Sequence, residues 1–402
     1  MLDAVGHPCL ARGVLVSLGL LVSACAGQGG PHGSDPSLHA PTGASYVSTE
    51  HTAVATSVDA WPIAGASVKV SLSTPRRAGA APLIVYVPGL GESSEAGERW
   101  RSAWSASGYA VMSVQPRAED ATAWTSDLAR AGDFSSLGHQ RYAGAAMRRR
   151  LDTLAQVLAE AQRRSAAGDE LWQRVDWNRV AIAGFDLGAY TAMAIAGERG
   201  EGTEEVSVRM RIIAAIAISP IVNASTGSLV NQRYDSIVVP VLSVSSDADG
   251  DPLRIVVDPR QRSIPFDRMN GPDKYFLSMY GITHANLSGT PDQAGHGSGS
   301  AKSPRDGASS AGGTDTGRQR GGSGRRRSSG EGTGSDRSRA SAEDDAGADS
   351  LSAKVAQARL LVAQDVTTAF LDAYVKGDSR AREWLSNEAT RSLGASGELR
   401  RK

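Results

Sequence analysis

Cysteine is almost missing from this 402-residue chain: Cys9 and Cys25 are the only two. That excludes a disulfide scaffold, a thiolate zinc site and a thiol nucleophile from the body of the protein. Neither charge is in excess, since 43 Lys and Arg meet 43 Asp and Glu. A generic polyanion binder is therefore excluded and no nucleic-acid partner is expected. No apolar run reaches the ~20 residues of a membrane-spanning helix. The seven His are scattered and no Gly-rich phosphate loop has the required spacing, so neither a metal nor a cofactor is expected. From Pro291 to Ser350 there is no Val, Ile, Leu, Met, Phe, Trp, Tyr or Cys, and 26 of those residues are Gly or Ser. Such a stretch cannot offset the entropy of ordering, and it is expected to be disordered.

Both ends of the chain carry signals. Arg12 precedes a short apolar run, Gly13 to Val22, with the length of a signal-peptide core. The run ends in Val22-Ser23-Ala24-Cys25, which resembles the bacterial lipoprotein lipobox. That resemblance implies cleavage before Cys25, acylation of its thiol, export, and a lipid anchor in a cell-envelope membrane on its periplasmic or extracellular face. The alternatives are an ordinary secretory signal or a membrane-proximal helix. Residues 25–60 read as a flexible tether. Near the other end, Val366, Phe370, Leu371 and Tyr374 share one helical face, and Gly377 is placed to stop that helix. The expected organisation is a signal peptide over 1–24, the lipidated tether over 25–60 and an α/β domain over 61–290. A low-complexity insertion over 291–350, a helix over 351–390 completing the domain and a tail over 391–402 follow. The insertion is rich in Arg, Arg325 to Arg327 among them; it is either a solvated loop or an arm for anionic envelope polymers.

Within the domain, short apolar runs alternate with helical patterns. Val68–Leu72 alternates like an edge strand. Leu83–Val87, Ala110–Val114, Arg179–Ala183, Ile212–Ile218, Val238–Val244 and Tyr275–Tyr280 read as strands. Met147, Leu151, Leu154 and Leu158 mark the clearest helix. Strands apolar on both faces and interleaved with helices argue a mostly parallel sheet with helices on both faces. The working residues of such sheets lie just beyond the C-terminal strand ends.

Four of those ends are informative. Gly184-Phe185-Asp186-Leu187-Gly188 joins a strand to a helix as a nucleophile elbow does, with small residues flanking a central side chain. Asp186 stands where Ser is usual. The Leu187 N–H, beside a helix N-terminus, is one candidate oxyanion donor. Pro88-Gly89-Leu90-Gly91-Glu92-Ser93 follows Leu83–Val87, and Leu90 is the candidate for the second donor. Three acids, Asp247, Asp249 and Asp251, follow the Val241–Val244 run, and Asp249 is preferred as the partner of a base. His284 follows the last strand. Of the other histidines only His139 lies in the domain without an excluding context, and it follows no strand. Trp100 and Trp104, four apart, suit core packing better than a substrate groove.

These residues resemble the α/β-hydrolase superfamily, in particular its dienelactone hydrolase and secreted lipase-like branch. The segments PLIVYVPGLGE, VAIAGFDLGAYTAMA, PVLSVSSDADGDP, GITHANLSG and TTAFLDAYVKGD carry the likeness. The resemblance implies an α/β-hydrolase fold without a large cap domain. It also implies a triad of Asp186, Asp249 and His284 in the order nucleophile, acid, base. The expected activity is hydrolysis of a small or polymeric carboxylic ester or lactone. Aspartate at the elbow is similar instead to dehalogenases and epoxide hydrolases, in which a carboxylate attacks carbon. The marks of those enzymes are otherwise missing, for Leu187 replaces their Trp. A third alternative is a binding protein on a degenerate hydrolase scaffold.

Overall fold

The computed structural model describes residues 44–204, 206, 208–222, 232–291 and 335–402, with side chains in the last segment from 352 onward. Cys25, the signal segment and most of the low-complexity insertion lie outside the described residues. Among the described residues, no helix is long and apolar enough to cross a membrane.

One open sheet of nine strands organises the domain, in the order β1-β2-β4-β3-β5-β6-β7-β8-β9. The strands are β1 (Val54–Ile63), β2 (Ala66–Pro75), β3 (Ala81–Val87), β4 (Ala110–Val114), β5 (Val175–Phe185), β6 (Ile212–Ile218), β7 (Val241–Ser246), β8 (Lys274–Met279) and β9 (Gly397–Arg401). From β4 to β8 every neighbouring pair is parallel; β1 with β2, β2 with β4, and β8 with β9 are antiparallel. Burial follows the alternation of side chains along each strand. Leu83, Val85 and Val87 face helices Gly144–Ala166 and Leu187–Ala196 through Leu154, Val157, Ala189 and Met193. Ile84 and Tyr86 face the other layer, made by Trp100 and Trp104 of helix Glu98–Ala106 and by Val366 and Phe370 of the C-terminal helix. The sheet is thus mixed, and helices cover both of its faces. Trp100 and Trp104 are wholly buried in that layer rather than lining a groove.

Three boundaries differ from those read in the sequence. The tether was expected to run to residue 60, but Val54–Ile63 is a strand, so β2 is not an edge. The β1 pattern, with Thr56, Asp59 and Pro62, is that of an outer strand. Only Trp61 and Ile63 are buried, and the left-handed pair Ala64-Gly65 turns it into β2. The tail expected at 391–402 contains β9, a short polar strand that pairs with β8 and covers its free edge. The final long helix begins at Ser335, inside the stretch read as structureless, and ends at Leu371. A single π-helical turn, Asp372–Lys376, follows, and Gly377 closes it at φ 75°.

Candidate active site

Asp186 is the residue between β5 and helix Leu187–Ala196, and its backbone sits at φ 52°, ψ −112°. Non-glycine residues rarely adopt such a conformation, and it persists only where surroundings over-determine it. Here they do. A Cβ on Gly188 would lie 1.8 Å from the Val87 carbonyl oxygen, and one on Gly184 would lie 2.2 Å from the Gly188 carbonyl oxygen. Both glycines therefore let the helix start pack directly on β3 and β5. The Asp186 N–H donates to the Ile218 carbonyl at 2.9 Å, and the Asp186 carbonyl accepts the first helical bond from Tyr190.

The carboxylate of Asp186 is buried and held at both oxygens. Leu90 N–H donates to Oδ2 at 3.3 Å, and the Tyr142 hydroxyl donates to Oδ1 at 2.8 Å. Tyr142 ends helix Phe134–Tyr142 and stacks on Tyr190. The carboxylate and burial together push its phenol well above the usual tyrosine range, burial being the larger cause. The Leu90 turn is itself fastened: Gly91 N–H donates to the Asp120 carbonyl, and Gln115 Nε2 donates to the Gly89 and Glu92 carbonyls. Leu187 is the first residue of its helix, so its N–H has no acceptor within that helix.

Of the three candidate acids, Asp249 faces His284. Its Oδ1 lies 2.7 Å from His284 Nδ1. Its Oδ2 accepts from Ser219 Oγ at 2.5 Å and Ser245 Oγ at 2.9 Å and pairs with the Arg262 guanidinium at 3.1 Å, whose Nε–H donates to the Asp249 carbonyl. The bonds from His284 and Ser219 and the Arg262 charge lower the Asp249 pKa, overriding burial, the largest single influence. Asp247 instead binds the Gly281 N–H, and Asp251 the N–H groups of Leu253 and Val256. Both fasten loops.

His284 opens the short helix His284–Leu287 after β8, and its ring lies 4.8 Å from that of Phe185. Burial acts to lower its pKa. The Asp249 bond and the negative charges of Asp186 and Asp249 outweigh burial and the opposing Arg262 charge, so the pKa is raised. Nδ1 is engaged with Asp249, which leaves Nε2 for a substrate or a water. His139 is exposed on helix Phe134–Tyr142.

Four residues of this constellation were not anticipated. Tyr142 sits on a helix rather than at a strand end. Ser219 follows β6 at φ 55°, and Arg262 is fully buried between Asp249 and the Ser219 and Pro220 carbonyls. The fourth, Glu92, accepts from Gly89 N–H at 2.8 Å and from Thr290 Oγ1 at 3.0 Å, so it ties the Leu90 turn to the segment after His284. Burial raises its pKa to about 7, against the two hydrogen bonds that favour the carboxylate; Asp186 adds to the rise and His284 opposes it. Ser219 has a signal, since it directly follows β6; Arg262, in the short helical turn Pro259–Ser263, has none.

Among the described residues, no group of three or more His, Cys, Asp or Glu is placed to hold a metal ion. No protein-family model matches the chain, and no curated protein matches it. The arrangement is of a catalytic type: a strained, held carboxylate, a histidine oriented by a buried acid, and backbone amides beside them.

Proposed function

We propose that this chain is a hydrolase of the α/β-hydrolase type whose reacting group is the Asp186 carboxylate. The order Asp186, Asp249, His284 after β5, β7 and β8 supports the type. The segment between β4 and β5 supports the absence of a large cap, since its longest helix, Gly144–Ala166, is part of the core. One observation carries the role of Asp186. The Leu90 amide, where a substrate's oxyanion would be expected to bind, donates to Asp186 Oδ2 instead.

That contact suits a covalent ester on the aspartate. Oδ1 attacks an electrophilic carbon of the substrate, and the bond to the leaving oxygen or halide breaks with its electron pair. Tyr142, already on Oδ1, is placed to give a leaving oxygen its proton. His284, oriented by Asp249, then takes a proton from water, and the hydroxide adds to Asp186 Cγ. The negative charge that develops on Oδ2 meets the Leu90 and Leu187 amides. Collapse expels the alcohol, which takes the proton from His284; the Asp186 acid so formed returns its proton to the Tyr142 phenolate, or to solvent where a halide has left. Substrates of this chemistry are epoxides, alkyl halides and strained lactones.

A second reading is the hydrolysis of a carboxylic ester or lactone, small or polymeric, with water attacking the acyl carbon directly. The 3.3 Å length of the Leu90 bond favours it, because a weak contact can be exchanged for a substrate oxyanion. In either reading the protein is exported and held at a bacterial envelope membrane by an acylated Cys25. Metabolic labelling with a radioactive fatty acid checks this, and Cys25→Ala should abolish the label.

A single turnover in 18O-labelled water, followed by mass spectrometry of the peptide containing Asp186, tests the reaction over a panel of epoxides, halides, lactones and chromogenic esters. Label in Asp186 is the expected result. Label in the product alone selects the second reading. Inertness toward the whole panel, unchanged in Asp186→Asn, selects the binding-protein alternative.

A further inference from the structure

We propose that a cavity beside the Leu90 turn is a binding site for a divalent oxyanion of the phosphate or sulfate type, separate from Asp186 and independent of the reaction there. The cavity measures about 180 Å3, and its wall includes Arg117, Glu119, Asp120, Arg141, Arg149 and Arg150. Four guanidinium groups thus face two carboxylates, a surplus of two positive charges.

The hydrogen bonding is incomplete in the direction an anion would satisfy. Arg150 is 1% exposed. Its Nε and Nη2 hold the Asp120 carboxylate at 2.7 and 3.3 Å, and Nη2 also binds the Arg141 carbonyl at 2.6 Å. Arg150 Nη1 is buried and has no partner among the described residues; the same holds for Arg141 Nε. Glu119 is committed to Arg117, both of whose contacts fall on a single carboxylate oxygen. Buried donors without acceptors are rare because each has lost its water. Water entering the cavity would satisfy the N–H groups but leave the surplus charge. A dianion does both, and guanidinium groups match the oxygens of phosphate and sulfate in pairs. A water molecule occupies about 30 Å3 in the liquid, so the cavity has room for one such ion with some of its hydration.

Asp120 holds the Gly91 N–H through its carbonyl, next to the Leu90 amide, and Arg141 precedes Tyr142. The two groups that grip Asp186 therefore each adjoin a wall residue of the cavity.

Thermal unfolding of the full chain tests the site, with sodium phosphate or sulfate titrated against chloride at constant ionic strength. The unfolding midpoint should rise with phosphate and with sulfate and then saturate, as binding to the folded state requires. Arg141→Gln and Arg149→Gln should each weaken the half-saturating concentration tenfold or more, while Asp186→Asn should leave it unchanged. Phenyl phosphate separates the two sources of the ligand. A matching stabilisation means that the site takes a phosphoryl group carried on a larger molecule; no effect means that it takes the free ion. A wild-type midpoint indifferent to phosphate overturns the proposal. So does an equal rise in wild type and variants, the behaviour of ions that act only by exclusion from the surface. Should Arg141→Gln fail to fold, the exposed Arg149 still provides the comparison.

Discussion

Replacing Gly188 with alanine strikes the contact on which the elbow depends. The new methyl would stand 1.8 Å from the Val87 carbonyl oxygen, 2.5 Å from its carbon and 2.7 Å from the Pro88 oxygen. Ordinary contact begins at 3.4 Å, so helix and strand must part by about 1.5 Å, and every obstructing atom is backbone, which no rotamer change can move. Overpacking in a core costs typically ~1–3 kcal/mol and sometimes more. With no soft partner the loss should reach at least about 3 kcal/mol. At roughly 2–4 °C per kcal/mol for a domain of this class, the unfolding midpoint should fall by roughly 6 °C or more. Gly250→Ala is the control, because nothing lies within 4 Å of its added carbon. It should be neutral or gain up to about 1 kcal/mol through the stiffer unfolded chain. Urea or thermal unfolding of both variants, followed by circular dichroism, measures the difference. Equal stability of the two would show that the helix does not rest on Val87, and the elbow geometry would fall with it.

Tyr142→Phe removes the donor to Asp186 Oδ1; stability should drop by about 1.5 kcal/mol in urea unfolding, and turnover of an epoxide at least tenfold. A dehalogenase-type reaction, whose leaving group needs no proton, should lose less. Glu92 holds a proton in the folded state up to about pH 7 that the unfolded chain releases near 4.5. Its contribution is therefore present at acid pH and is lost as the pH rises through about 7. Stability measured from pH 5 to 8 should decline less in Glu92→Gln than in wild type. Asp372 accepts from the hydroxyls of Tyr46, Ser48 and Tyr109 and pairs with Lys376. Asp372→Ala takes the acceptor from all three hydroxyls and the counter-charge from the half-buried Lys376, which keeps the Ser107 carbonyl; it should cost about 3 kcal/mol and should expose the segment around residues 44–50 to limited proteolysis.

The order of strands and helices was legible because most core strands are apolar on both faces and end in Gly, Pro or Asp. Those same ends carried Asp186, Asp249 and His284. The outer strands were not legible. In β1 only two side chains are buried, and β9 is Gly-Glu-Leu-Arg-Arg, which owes its conformation to the free edge of β8 rather than to any pattern of its own. The choice of Asp249 over its neighbours rests on position; in the structure its Oδ1 lies 2.7 Å from His284 Nδ1, while Asp247 and Asp251 bind backbone N–H groups. Tyr142 was invisible for a different reason. It reaches Asp186 across 44 residues from the end of helix Phe134–Tyr142, where Arg150 donates to the Arg141 carbonyl. No local signal reports such a contact.

Aspartate in place of serine changes when the histidine can act. In the resting site His284 lies beside two carboxylates, and both raise its pKa. A serine at this turn would carry no charge, and of the two carboxylates only Asp249 would then raise the His284 pKa. On the proposed reaction the base is not needed first, because Asp186 attacks without losing a proton. Esterification by an alkyl halide, which leaves as the anion and takes no proton from Tyr142, then erases one of the two negative charges. The other, on Asp249, remains opposed by Arg262. The pKa of His284 falls at that point, which favours the neutral ring that water requires as its base. The charge of the nucleophile thereby orders the two half-reactions. Consequently, with a halide substrate, the pH profile of ester breakdown should have its lower inflection at a more acidic value than the titration of His284 measured by NMR in the unreacted protein. Coincident values would mean that no charge is lost at Asp186, and the aspartate would then act without forming an ester.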